Sequence, residues 1–133
     1  MLNQSTILMA TVFLASTTHI SVATAATKSV RQPTITMKAG TKTGLQEVFS
    51  WDGQCKTVKV SVAPSVNALG AITIVRDQFV ISQDQSAQCA GKTVSGYRVV
   101  FNARLKGNVD VKYTIRSKAL PHTYVVSRTM QIN

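Results

Sequence analysis

The feature that most constrains this chain lies near its C-terminus, in Gly107–Arg116. There Val109, Val111, Tyr113 and Ile115 alternate with Asp110, Lys112, Thr114 and Arg116. Side chains repeat every two residues only along an extended strand, so the segment presents one dry face and one wet face. The same period recurs where Val58, Val60 and Val62 alternate with Thr57, Lys59 and Ser61, up to Pro64. Further strand-forming runs stand at Thr34–Met37, Leu45–Trp51, Gly70–Val75, Gln78–Ser82, Tyr97–Phe101 and Thr123–Ile132. Turn residues separate them: Asp52-Gly53, Arg76-Asp77 as a hairpin tip or bulge, Gly107, and Pro121-His122. The polar stretch Ser82–Thr93 reads as a loop.

Seven or eight short strands at even spacing predict an all-β domain, an antiparallel sandwich of immunoglobulin-like type. A small closed β-barrel has the same spacing and is the alternative. One residue breaks the pattern. Arg128 falls in phase with Tyr124, Val126, Met130 and Ile132, the set predicted to be buried. An unpaired guanidinium is costly to bury. A β-bulge near Ser127, or a place at the rim with the head in water, is therefore expected.

The first residues carry an apolar run, Ile7–Ala15, followed by small residues and Ala23-Thr24-Ala25-Ala26. That is the pattern of a secretory signal peptide, expected to occupy residues 1–25. The run is too short for a transmembrane span, which needs about 20 apolar residues. Residues 26–43 are rich in Thr, Lys, Gly and Pro and are expected to form a flexible basic segment. The sandwich is then expected over residues 44–133. Export places Cys55 and Cys89, the two cysteines of the chain, in an oxidising compartment, so one intramolecular disulfide is expected. Closing a loop of about 35 residues stabilises by roughly 3–4 kcal/mol, against a total of about 5–15 kcal/mol for an ordinary domain. Redox activity would favour a C-x-x-C spacing or a neighbouring base. A metal site would need more ligands than His122, the one histidine after residue 25.

Catalysis finds little to work with. The side-chain carboxylates are Glu47, Asp52, Asp77, Asp84 and Asp110, and none forms a pair suited to acid-base hydrolysis. Asp77 and Asp84 flank one predicted strand, where acids beside a loop are ordinarily solvated. His122 has no identifiable acid partner, and no G-x-S-x-G elbow or glycine-rich phosphate loop is present. The chain is read as non-enzymatic, with no cofactor and no metal.

Charge is the strongest chemical signal. Lys and Arg number 15 against 5 Asp and Glu, a formal net charge of +10, all of it beyond residue 25. Lys28, Arg31, Lys38 and Lys42 fall in the N-terminal segment, and Arg104 and Lys106 in the turn before Val109. Lys112, Arg116 and Lys118 follow on the wet face and exit of that strand. Such a field draws in polyanions. Arg104, Lys106, Lys112, Arg116 and Lys118 are the candidate polyanion contacts. Two function classes follow. One is an exported interaction module that docks on another envelope protein, by an exposed sheet edge for example. The other is a basic protein that binds lipopolysaccharide, acidic polysaccharide or anionic lipid. Affinity for a polyanion falls steeply with salt, which separates the two. Charge that serves solubility alone is the plain alternative. Nucleic acid is disfavoured by export and by the lack of a DNA- or RNA-binding motif. Inhibition of lysozyme-like enzymes is disfavoured too, because those targets are generally basic.

Three stretches carry a family likeness. Gly107-Asn108-Val109-Asp110-Val111-Lys112-Tyr113-Thr114-Ile115 resembles the G-x-D-x-F-x-Y-x-V strand of bacterial immunoglobulin-like and cadherin-like repeats. Cys89–Phe101, with Gly96-Tyr97, is similar to a stretch in small secreted single-domain proteins of proteobacteria. Val60-Ser61-Val62-Ala63-Pro64, followed by Gly70-Ala71-Ile72, resembles their V-x-V-x-x-P…G-x-V hairpin. Val109 stands where the repeats carry Asp, so a calcium-dependent joint is not implied. Trp51 precedes the first cysteine and Ala87 takes the place of the tyrosine-corner residue, which separates the chain from antibody domains. The resemblance implies a sandwich in an envelope or extracellular setting, and no activity.

Overall fold

The alternating runs become strands in the computed structural model, which describes residues 26–133. The expected signal peptide, residues 1–25, lies outside the described residues. The strands are β1 (Ala26–Arg31), β2 (Ile35–Met37), β3 (Lys42–Trp51), β4 (Thr57–Val58), β5 (Val60–Pro64), β6 (Gly70–Val80), β7 (Thr93–Ala103), β8 (Gly107–Ser117) and β9 (His122–Ile132). One sheet runs β1-β9-β8-β5, with β2 also paired to β9, and the other runs β4-β3-β7-β6. Two open sheets make a sandwich of immunoglobulin-like type, and the closed barrel is set aside.

β8 follows the expected alternation: Val111, Tyr113 and Ile115 are buried, whereas Asp110, Lys112 and Arg116 are exposed. The valine-rich run at Thr57–Pro64 is shared between the sheets. Val58 pairs with Ser50 of β3, and from Val60 onward the chain pairs with β8, so Lys59 marks the corner. Pro64 is accommodated because β5 is an edge strand, where a missing N–H costs no ladder bond.

Three features depart from the sequence reading. Arg76 and Asp77 form neither a tip nor a bulge, since β6 pairs with β7 in unbroken register from Gly70 to Val80. Their charges are met laterally. The Arg76 guanidinium lies 5.9 Å from the centre of the Tyr97 ring, and Asp77 accepts a hydrogen bond from Arg98 at 2.9 Å.

Secondly, the segment expected to be a flexible basic arm supplies two strands to the first sheet. β1 runs parallel to β9, with Ala26 opposite His122 and Arg31 opposite Ser127. β2 continues along the same edge, Ile35 opposite Met130. Arg31 is bound to Asp110 at 3.2 Å and also donates to the hydroxyls of Ser127 and Thr129. Within the described residues, the segment before residue 44 is therefore part of the first sheet, paired from Ala26 onward. Ala-Thr-Lys-Ser-Val-Arg has almost no apolar alternation because an edge strand buries little; its backbone is held by β9.

Thirdly, β9 has no bulge at Ser127, and Arg128 is only 6% exposed. The irregularity lies in the opposite sheet, where the β3–β7 register shifts between Gly44 and Gln46. That shift leaves Leu45 without a ladder partner, and its carbonyl accepts from the Arg128 guanidinium at 3.2 Å. A second donor of the guanidinium meets the Pro33 carbonyl at 2.8 Å, in the crossing from β1 to β2. The charge is thus buried against two carbonyls that secondary structure leaves unused. Beside it, Tyr113 donates to the Gln46 side chain across the sheets. Burial pushes the Tyr113 phenol far above its ordinary range and lowers the Arg128 guanidinium.

Apolar side chains gather on both faces of the second sheet. Val48, Val99 and Phe101 face the first sheet and pack with Val111, Tyr113, Ile115, Val126 and Met130. Phe49 and Trp51, offset by one residue from Val48, point the other way with Phe79, Val94, Ile81 and Cys89. Phe49 stacks on Phe79 with ring centres 4.7 Å apart. The loop between β6 and β7 roofs this smaller cluster.

Candidate functional site

The expected disulfide is formed, Cys55–Cys89, with Cα atoms 5.3 Å apart. It ties the β3–β4 turn to the loop over Phe49 and Trp51. In that turn Asp52 accepts from the amides of Gln54 and Lys56. Those two backbone donors, Lys56 first, hold the Asp52 carboxyl below its ordinary range. The left-handed residue is Cys55, at φ +63°, and not Gly53.

The five predicted polyanion contacts are not brought together. Arg104 and Lys106 sit in the β7–β8 turn at one end of the sandwich, while Arg116 and Lys118 lie at the other end. β8 separates the two groups by about 33 Å, from its rise of roughly 3.3 Å per residue. Lys112 stands between them on the exposed face.

At the far end Arg116 and Lys118 do converge with other groups. The start of β5, the end of β8 and the start of β9 enclose an open groove of about 620 Å³. Lys59, Arg116 and Lys118 supply its cations; Val58, Val60 and Leu120 supply its apolar lining. His122 also lines it, set edge-on to Tyr124, and its solvent-shielded Nδ1 has no hydrogen-bond partner among the described residues. A second groove of about 280 Å³ shares Lys59 and Val60 and adds Arg76, Ser95 and Tyr97. No carboxylate lines either groove.

Sequence reading named Arg116 and Lys118 but missed Lys59, Arg76 and His122 as their companions. Lys59 was visible as a wet-face residue of a good strand. Its role arises because the chain changes sheets there, and local pattern carries no sign of that.

The acids lie elsewhere. Glu47 and Asp77 both accept from Arg98 at 2.9 Å, on the face of the second sheet away from the first. The Arg98 side chain lowers the Asp77 carboxyl, and Arg31 does the same for Asp110. Among the described residues no three of His, Cys, Asp and Glu cluster as metal ligands. Nor is any helix among them long and apolar enough to cross a membrane.

No family model and no curated protein matches the chain. The solved structures with a loose likeness include three β-rich proteins. PbICP-C, solved in complex with falcipain-2, is 9% identical with a TM-score of 0.44, covering 86% of this chain and 96% of that one. Domains 4 and 5 of the S-layer protein SbsC are 18% identical with a TM-score of 0.37, covering 86% and 51%. The CupB6 tip adhesin from Pseudomonas aeruginosa is 8% identical with a TM-score of 0.35, covering 84% and 42%. At these scores none of the three bears on what this chain does.

Proposed function

We propose that this chain is an exported, non-enzymatic interaction module that docks on an anionic partner in the cell envelope through the groove at the Arg116–His122 end. The observation that carries the reading is chemical. Three cations rim an apolar floor, no carboxylate neutralises them, and a shielded imidazole nitrogen faces no protein partner. A cationic cleft of this kind concentrates anionic groups and speeds their arrival. Its apolar lining favours a partner that also buries side chains. The disulfide and the signal-peptide-like first residues support export, in keeping with the resemblance to secreted single-domain proteins. Four carboxylates, Glu47, Asp52, Asp77 and Asp110, are engaged by an arginine or a turn, which supports a binding role over acid-base chemistry.

A second reading, a general polyanion binder for lipopolysaccharide, acidic polysaccharide or anionic lipid, draws on the exposed cations outside the groove. Arg104, Lys106 and Lys112 would then contribute as much as Arg116 and Lys118. Titration of the oxidised protein with lipopolysaccharide and with an acidic peptide, across a salt series, separates the two. Docking in the groove is expected to weaken in the triple variant Lys59→Ser, Arg116→Ser, Lys118→Ser and to survive Arg104→Ser with Lys106→Ser. Equal loss in both variants would overturn it in favour of diffuse polyanion binding.

A further inference from the structure

β5 leaves the two grooves at Lys59–Ser61 and continues as a sheet edge whose hydrogen-bonding geometry can be read from the ladder. We infer that this edge is a docking site for an extended acidic segment of a partner protein, which adds as a further strand beside β5. The inference rests on the groove reading above and names the kind of partner.

The Ser65 amide donates to the Lys112 carbonyl at 2.9 Å, which makes Ser65–Lys112 a hydrogen-bonded pair of the β5–β8 ladder. Such pairs alternate along an antiparallel ladder. Ala63 and Ser61 therefore bond to Thr114 and Arg116, while Val60 and Val62 turn their N–H and C=O groups away from β8. Pro64 fits this phase, because the N–H it lacks would also point to the open side. Val60 is buried at 3% exposure, so the edge is open at Val62, which offers a donor and an acceptor, and at Pro64, which offers an acceptor. The two-residue repeat of about 6.6 Å between Val62 and Pro64 matches another polypeptide strand.

Charge selects the strand. A segment lying along β5 passes Lys59 and Arg76 beside the second groove, and Arg116 and Lys118 beside the first. With no carboxylate on either side, basic or neutral strands gain nothing there, and the net charge of +10 opposes a second copy of this chain. Apolar residues of the incoming strand would rest on the linings near Val60 and Tyr97.

The test uses a synthetic peptide alternating valine and glutamate, its valine–lysine counterpart, and an acidic polysaccharide. Binding to the oxidised protein is measured by calorimetry, and amide hydrogen exchange is followed at Val62. The valine–glutamate peptide is expected to bind and to slow the Val62 amide, and the lysine peptide to fail. Val62→Pro removes only an outward N–H, so it keeps the β8 ladder and is expected to lose about fivefold to tenfold in affinity. Lys59→Ser with Arg76→Ser is expected to weaken binding and flatten its salt dependence. Peptide binding without slowed exchange, or with Val62→Pro unchanged, would overturn strand addition while leaving the groove reading intact. Equal binding of the lysine peptide, or tighter binding of the polysaccharide by Val62→Pro and the native chain alike, would overturn it as well. If no anionic probe binds, both readings fall.

Discussion

The two apolar clusters on either side of the second sheet are built in different ways. The larger one lies between sheets and is closed by strands, with aliphatic side chains from β3, β5, β7, β8 and β9 meeting across the gap. It even hosts a guanidinium and a phenol: the carbonyls of Pro33 and Leu45 accept from the two terminal nitrogens of Arg128, whose Nε stays unpaired among the described residues, and Gln46 accepts from Tyr113. The smaller one is aromatic, and its outer side is a loop in place of a sheet. A loop has no ladder to hold it down. Here it is fixed by the disulfide, by Ile81 and Gly91 amides bonded across its neck, and by Gln88 reaching Gly53. One region is stable through many pairings, the other through a covalent staple at its rim.

The largest expected effect comes from removing that staple. Cys55→Ser with Cys89→Ser is expected to cost about 4 kcal/mol by loop-closure entropy, read by denaturant unfolding. Amide exchange should accelerate first across the loop from Ser82 to Lys92, with Val111 and Val126 still protected. Simultaneous loss at all these positions would show the two clusters to be one cooperative unit. Arg128→Met attacks the other region. It leaves the Leu45 carbonyl buried without a donor and is expected to cost about 3 kcal/mol, with protection lost throughout both sheets. Retained stability would mean that water can replace the guanidinium.

Gly96→Ala probes the boundary between the two regions. A Cβ there meets the Val48 carbonyl and comes 2.6 Å from the Phe49 Cβ. The overpacking is expected to cost about 1–3 kcal/mol and to disturb the Phe49–Phe79 stack, visible in near-ultraviolet dichroism.

The smallest effects are expected from pH, and they again differ by region. Tyr113 resists ionisation when folded, so its contribution is complete below pH 10.0, its ordinary value, and is lost as pH rises beyond that. Tyrosinate absorbance should show this group ionising only with unfolding. Asp52, Asp77 and Asp110 are held below their ordinary 3.8, so their contribution is complete above that value and fades as pH falls through it. A stability maximum between these limits is expected from thermal unfolding at stepped pH. Full stability at pH 2 would mean that these pairs do not matter.

Strand positions were legible from the amino-acid order because burial on one face imposes a two-residue period that needs no knowledge of the partner. Val111, Tyr113 and Ile115 announce their face whatever lies opposite. The disulfide was legible for a similar reason, since two cysteines have a single pairing. Three things were decided only by the tertiary structure. β1 is a strand because β9, about a hundred residues away in sequence, offers it a free edge. Arg128 can be buried because a register shift in β3 turns the Leu45 carbonyl toward it. Lys59, Arg76, Arg116 and His122 share one end of the molecule because the chain changes sheets at Lys59. In each case the deciding group is remote in sequence, and hydrogen-bond and charge complementarity act only once folding has closed that distance.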